Sequence, residues 1–83
     1  MTQAIAPRYA LDFDAAGWRW QVIELPATNR IQLWFAPAGE TVWQLGHGKD
    51  VPAHMTVQAA MQLMRMFIRS DISHDEYNAA LPR

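Results

Sequence analysis

The chain predicts an α+β fold: an antiparallel β-meander of three to four strands packed on one amphipathic helix, with a short C-terminal helix. Three observations carry that expectation. Residues 8–46 alternate apolar and polar side chains with a period of two, interrupted by turn residues. From Thr56 onward the period changes to that of a helix. Finally, 51% of the 83 residues are of the AVILMFWYC set and 18% are charged, apolar enough for a packed core and too apolar for a disordered chain.

The elements follow in order. In "RYALDF", Tyr9, Leu11 and Phe13 alternate with Ala10 and Asp12, as a half-buried strand requires. "DAAG" ends in Gly17, which is free to take positive φ in a hairpin turn. "WRWQVIEL" puts Trp18, Trp20 and Val22 on one face and Arg19, Gln21 and Ile23 on the other. Pro26 stops that strand and "PATN" turns the chain. "RIQLWFA" separates Ile31, Leu33 and Phe35 from Gln32 and Trp34. After "PAGE", the run "TVWQL" aligns Trp43 with Leu45 as a fourth strand. Connections this short suit hairpins, hence an antiparallel sheet.

Thr56 is a fitting N-cap. Beyond it, Val57, Ala60, Met61, Met64, Phe67 and Ile68 form one apolar stripe, with Gln58, Gln62, Arg65 and Arg69 opposite. Leu63 and Met66 lie outside the stripe, so the apolar band is broad and calls for a second cover. Ser73 and Glu76 have the spacing of a capping box, and Ile72 and Tyr77 that of a hydrophobic staple. Strands over about 8–46 and helices over about 56–81 thus make one small domain, 1–83. Residues 63–81 resemble, through these capping residues, the helical hairpin of the short C-terminal oligomerisation domain found at the ends of many bacterial proteins.

Composition narrows the function. With no cysteine, the chain has neither a disulfide framework nor a thiolate nucleophile. A small domain without disulfide staples suits the cytoplasm, and no apolar run is long enough to span a membrane. Seven Lys and Arg against eight Asp and Glu give a formal charge of −1, where nucleic-acid binders ordinarily carry a basic excess.

The stretch "WQLGHGKDVPAH", residues 43–54, holds most of the residues suggestive of chemistry. A phosphate loop needs a longer spacing between its glycines and a hydroxyl residue after the lysine; Asp50 stands there instead. His47, Asp50 and His54 have donor types suited to a divalent metal, but their spacing does not force them together. The simpler expectation makes the stretch a hinge, its glycines releasing the chain from the last strand. No cofactor motif is complete, no metal site is expected, and no catalytic constellation appears.

Binding is the remaining class. If Trp18, Trp20, Leu33, Phe35 and Trp43 line the core, the other sheet face shows Trp34 among Arg19, Gln21, Gln32 and Gln44. Tryptophan and arginine are enriched at binding hot spots. Leu63 and Met66 extend the candidate set to the helix, methionine being adaptable at interfaces. The expected function is a small non-catalytic inhibitor or adaptor that occupies a protein partner's surface, with a homodimer as the means of covering Met66. In size the chain is similar to phage-encoded inhibitors of host defence. The alternative is a single-stranded nucleic-acid-binding module, its outer sheet face stacking bases while Arg19, Arg30 and Arg8 meet phosphates.

Overall fold

A computed structural model describes residues 10–82. It has four strands and two helices: β1 (Ala10–Ala15), β2 (Trp18–Leu25), β3 (Arg30–Pro37), β4 (Gln44–Asp50), α1 (Val57–Ile68) and α2 (His74–Ala80). The strands form one antiparallel meander in the order β1-β2-β3-β4, as the alternation predicts. Arg8 and Tyr9 lie outside the described residues.

The turns explain the hairpins. Ala16 and Gly17 join β1 to β2 with φ of 55° and 79°. Positive φ at both central positions is the primed geometry whose twist matches a two-residue hairpin. The turn at 26–29 likewise places Ala27 and Asn29 in the left-handed region, and the Asn29 amide donates to the Val51 carbonyl at 2.8 Å.

One register change reorders the fourth strand. Leu33 faces His47, whereas the next residue, Trp34, faces Leu45, so Gly46 is the extra residue of a bulge. A Cβ on Gly46 would stand 3.2 Å from the Leu33 carbonyl oxygen. The stretch expected to be a hinge is therefore the strand itself, and the fourth strand runs to Asp50 instead of ending near residue 46. Because one inserted residue exchanges the two faces, three assignments change. Trp43 leaves the core and lies under the Arg19 guanidinium, 5.1 Å from its ring centre. Leu45, 50% exposed, shares the face of Trp34. Gln44 pairs with Phe35 and so belongs to the opposite, helix-bearing face.

That helix-bearing face carries the core. Val22, Ile31 and Leu33 from the sheet meet Ala60, Met61 and Met64 from α1 and Tyr77 and Leu81 from the C-terminal segment. Each large apolar side chain fully buried there contributes about 1.5–3 kcal/mol. Farther along the same face, Phe13, Trp20, Trp18 and Phe35 form a contiguous aromatic row, with neighbouring ring centres 5.3–6.4 Å apart. Trp18, at its end, is 39% exposed and thus borders the core.

The helices begin and end where their caps dictate. The Thr56 hydroxyl accepts from the Ala59 N–H at 3.1 Å. Ser73 and Glu76 close a reciprocal capping box, and hydrogen bonding to Ser73 holds the Glu76 carboxyl below its ordinary pKa. Between the helices, Ser70 donates to Phe67 and Asp71 to Met66, with Ser70 at φ 64°. This is the Schellman ending, which favours a residue without a Cβ at that position. Both helices lie on one side of the sheet, and the shortest dimension of the Cα trace, 16 Å, fits two layers.

Candidate functional site

The face of the sheet opposite the helices is the first candidate. Its register brings Gln21 directly beside Trp34, Arg19 beside Ala36 and Gln32 beside Ile23. Four of the sequence-predicted binding residues, Arg19, Gln21, Gln32 and Trp34, thereby form one continuous patch. The Trp34 indole N–H donates to the Gln32 side-chain oxygen at 3.2 Å, and the Gln21 amide donates to Asp12 at 2.8 Å. These bonds orient two polar side chains that would otherwise sample several rotamers. Leu45 and Trp43 enlarge the apolar part of the patch, and Val42, 68% exposed, lies beside them in sequence.

The other predicted binding residues lie elsewhere. Gln44 is exposed on the helix-bearing face. Leu63 packs against the core cluster, and Met66 is half-buried on α1. The sheet separates both from Trp34, so one flat partner surface would not span all seven residues.

A second candidate is built where β4 meets α2. Alternation after the bulge turns His47 and Lys49 toward the helices. His47 Nε2 shares a 2.8 Å hydrogen bond with the Tyr77 hydroxyl, and Lys49 Nζ donates to the Asn78 side-chain oxygen at 2.9 Å. The Lys49 ammonium also lies 5.0 Å from the centre of the Tyr77 ring, which Phe67 stacks in parallel at 4.2 Å. Tyr77 is thus held between a cation and an aromatic ring. Burial, and then the nearby Lys49 charge, lowers the His47 pKa; burial raises that of the Tyr77 hydroxyl. At neutral pH, both groups of this pair are therefore uncharged.

The same elements frame an open cleft of about 530 Å³, lined by Arg30, His47, Lys49, His74, Tyr77 and Asn78, among others. Arg30 reaches it because Gly48 has no side chain: a Cβ there would come within 2.9 Å of the guanidinium. Arg30 also pairs with Asp50 at 2.7 Å, both side chains being substantially exposed. The three residues considered for a metal do not converge. His47 is engaged by Tyr77, Asp50 by Arg30, and His54 is exposed in the turn before α1. Among the described residues no group of three His, Asp or Glu side chains is placed to hold a metal ion.

Sequence reasoning missed Leu45 and Trp43 on the open face, and Lys49, Tyr77 and Asn78 in the cleft. A signal for the cleft was present: His47, Lys49 and Val51 alternate with Gly46, Gly48 and Asp50, continuing the strand period beyond the point where the glycines suggest an end. Among the described residues no helix is long and apolar enough to cross a membrane.

Residues 11–83 match the family model described as the Mycobacterium phage L5 gene 74 protein, and the chain belongs to that family. No curated protein matches the chain, and no solved structure does.

Proposed function

We propose that this small phage-family protein is a non-catalytic inhibitor or adaptor that occupies the surface of a protein partner, of the type phages direct against host defence. The observation that carries the reading is the open sheet face. Both helices pack on the other side, leaving Trp34, Leu45, Trp43 and Arg19 together on a surface framed by two glutamines. Large aromatics with an arginine, surrounded by adaptable polar groups, have the composition of an interface centre. Family membership supports a phage role and leaves the partner's identity to experiment.

Site-specific photocrosslinking in host cells tests the reading. A crosslinker at Leu45 is expected to capture one protein that a crosslinker at Gln58, exposed on α1, does not. Arg19→Glu is expected to abolish that capture while the protein remains folded. Equal capture from both positions removes the open face as the interface, and capture of a second copy identifies self-association.

One observation favours a second reading, single-stranded nucleic-acid binding. The open face carries two tryptophans, Trp34 and Trp43, with Arg19 stacked on the second; stacking platforms commonly combine such groups. Binding to an oligonucleotide that weakens steeply with salt would support it. No binding at low salt would remove it.

A further inference from the structure

β4 is the last strand of the sheet, so one of its edges carries main-chain groups that no other strand pairs. We propose that this edge is the docking site for an extended peptide segment of a protein partner. The segment adds to the sheet as a fifth strand and lays one large apolar side chain in the cleft against α2. This contact uses neither Trp34 nor Trp43 and stands apart from the open-face reading.

Hydrogen-bond parity identifies the free groups. The Val51 N–H donates to the Asn29 carbonyl at 2.9 Å, one step beyond the register pair Arg30–Asp50. In an antiparallel ladder, pairs that exchange bonds alternate with pairs that do not. Val51, Lys49 and His47 therefore bond toward β3, and the N–H and C=O of Gly48 and Asp50 point away from it. Among the described residues, no backbone bond from a helix, turn or loop reaches either of the two. A row of alternating donors and acceptors at strand spacing is matched by another extended main chain, the basis of strand addition.

The same edge has room beside it. The cleft of about 530 Å³ is lined by Arg30, which shares the open face with Asp50, and by His47 and Lys49, which face the helices. A volume bounded by residues from both faces of an edge strand passes around its free edge. Gly48 also lines it, and without a side chain it leaves its main chain open there. On the helix side, the Phe67 and His74 rings stand 5.8 Å apart. A side chain of the added strand that points to the helices meets these rings, which favours a large apolar residue. The opposite edge of the sheet is guarded. The two-residue turn after Ala15 makes Ala15–Trp18 a bonded pair, so Asp12 and Asp14 are outward residues of β1. Both are exposed, and charged side chains on an edge oppose strand addition. On β4 the outward positions hold a glycine and an aspartate that Arg30 neutralises.

The test selects peptides from a random library against the intact protein and maps a selected peptide by NMR. Binding is expected to protect the Gly48 and Asp50 amides from hydrogen exchange and to leave the Asp12 and Asp14 amides exchanging freely. N-methylation along the peptide is expected to weaken binding at least about tenfold at alternate positions and not at those between, since only every second residue faces the paired strand. Gly48→Pro removes an outward donor without touching the bonds to β3, and is expected to weaken binding at least about tenfold. Gly48→Ala, which displaces the Arg30 guanidinium and keeps the N–H, is expected to bind as before. Where Gly48→Pro fails to fold, the N-methyl scan decides on the unaltered protein. A library that yields no binder, or a scan without the two-residue period, would overturn the proposal. A peptide that perturbs Trp34 and Leu45 and leaves the Gly48 and Asp50 amides unprotected overturns it while supporting the open face. Contacts between the Gly48 amides of two protein molecules replace the partner by a second copy and overturn it as well.

Discussion

His47 and Tyr77 stand thirty residues apart in sequence and share a hydrogen bond of 2.8 Å between the imidazole Nε2 and the phenol oxygen. That bond ties the edge strand β4 to the C-terminal helix. Tyr77 is 2% exposed, so the hydroxyl has little water to replace the imidazole. Tyr77→Phe is expected to cost about 1 kcal/mol, the net worth of a hydrogen bond whose partner remains half-exposed. Tyr77→Ala is expected to cost about 3–5 kcal/mol, because it also deletes the ring that packs on Phe67 and the core. Urea melts of the two variants measure both values.

The same pair sets a pH dependence. In the folded protein, burial and then the Lys49 charge hold the His47 pKa below its ordinary 6.5. Lys49 faces it from β4, Tyr77 and His74 from α2, and no carboxylate is among the described residues lining their shared cleft. As pH falls below 6.5 the unfolded chain takes up a proton more readily than the folded one, so stability falls. This contribution is complete above pH 6.5 and is lost as pH drops through the lowered folded value. Lys49→Met removes one cause of the shift and narrows that acid-side loss. NMR titration of the His47 ring and stability curves on either side of pH 6.5 provide the check.

Two turn positions hold alanine or serine where the backbone favours glycine or asparagine. Ser70, at φ 64°, closes the Schellman ending of α1, and Ala16, at φ 55°, opens the first hairpin. A left-handed conformation costs an ordinary residue about 1–2 kcal/mol. Ser70→Gly and Ala16→Asn are each expected to raise stability by about 0.5–1 kcal/mol. The sites lie in different turns, so the double variant is expected to show the sum of the two effects. Thermal melts of the single and double variants decide it.

Glu24 supplies a further prediction. It is 6% exposed on the helix-bearing face, directly beside Ile31, and its Oε1 is buried without a hydrogen-bond partner. A buried carboxylate with an unsatisfied oxygen costs more than the isosteric amide, which carries no charge. Glu24→Gln is expected to stabilise the fold by about 1 kcal/mol. A lower urea midpoint would instead assign the carboxylate a stabilising role.

The residues that could be read from sequence are those whose local chemistry leaves one choice. The alternation in β1, β2 and β3, the Thr56 cap and the Ser73–Glu76 box each belong to a single element and needed no knowledge of the rest. The fourth strand failed because its face depends on a bulge. Gly46 looks like a release from the strand, whereas it is the inserted residue that turns Trp43 and Leu45 outward and His47 and Lys49 inward. The cleft was hidden for a related reason. Its partners, Tyr77 and Asn78, sit on a helix whose packing position no local pattern specifies, so nothing in the sequence joined Lys49, weighed only as a phosphate-loop lysine, to them. On the open face, Arg19, Gln21, Gln32 and Trp34 came together because they lie on two strands joined by a single tight turn.

The meander has a kinetic consequence. Each strand pairs with its neighbour in sequence, so the sheet can zip hairpin by hairpin, with little loop-closure entropy lost at each step. The exception is the outer edge of β4, whose inward side chains wait for α2 to supply Tyr77 and Asn78. On a ribosome, the first three strands would be able to pair as soon as they emerge. The fourth would stay unclamped until the last residues of α2 were released, making its docking the closing event of folding.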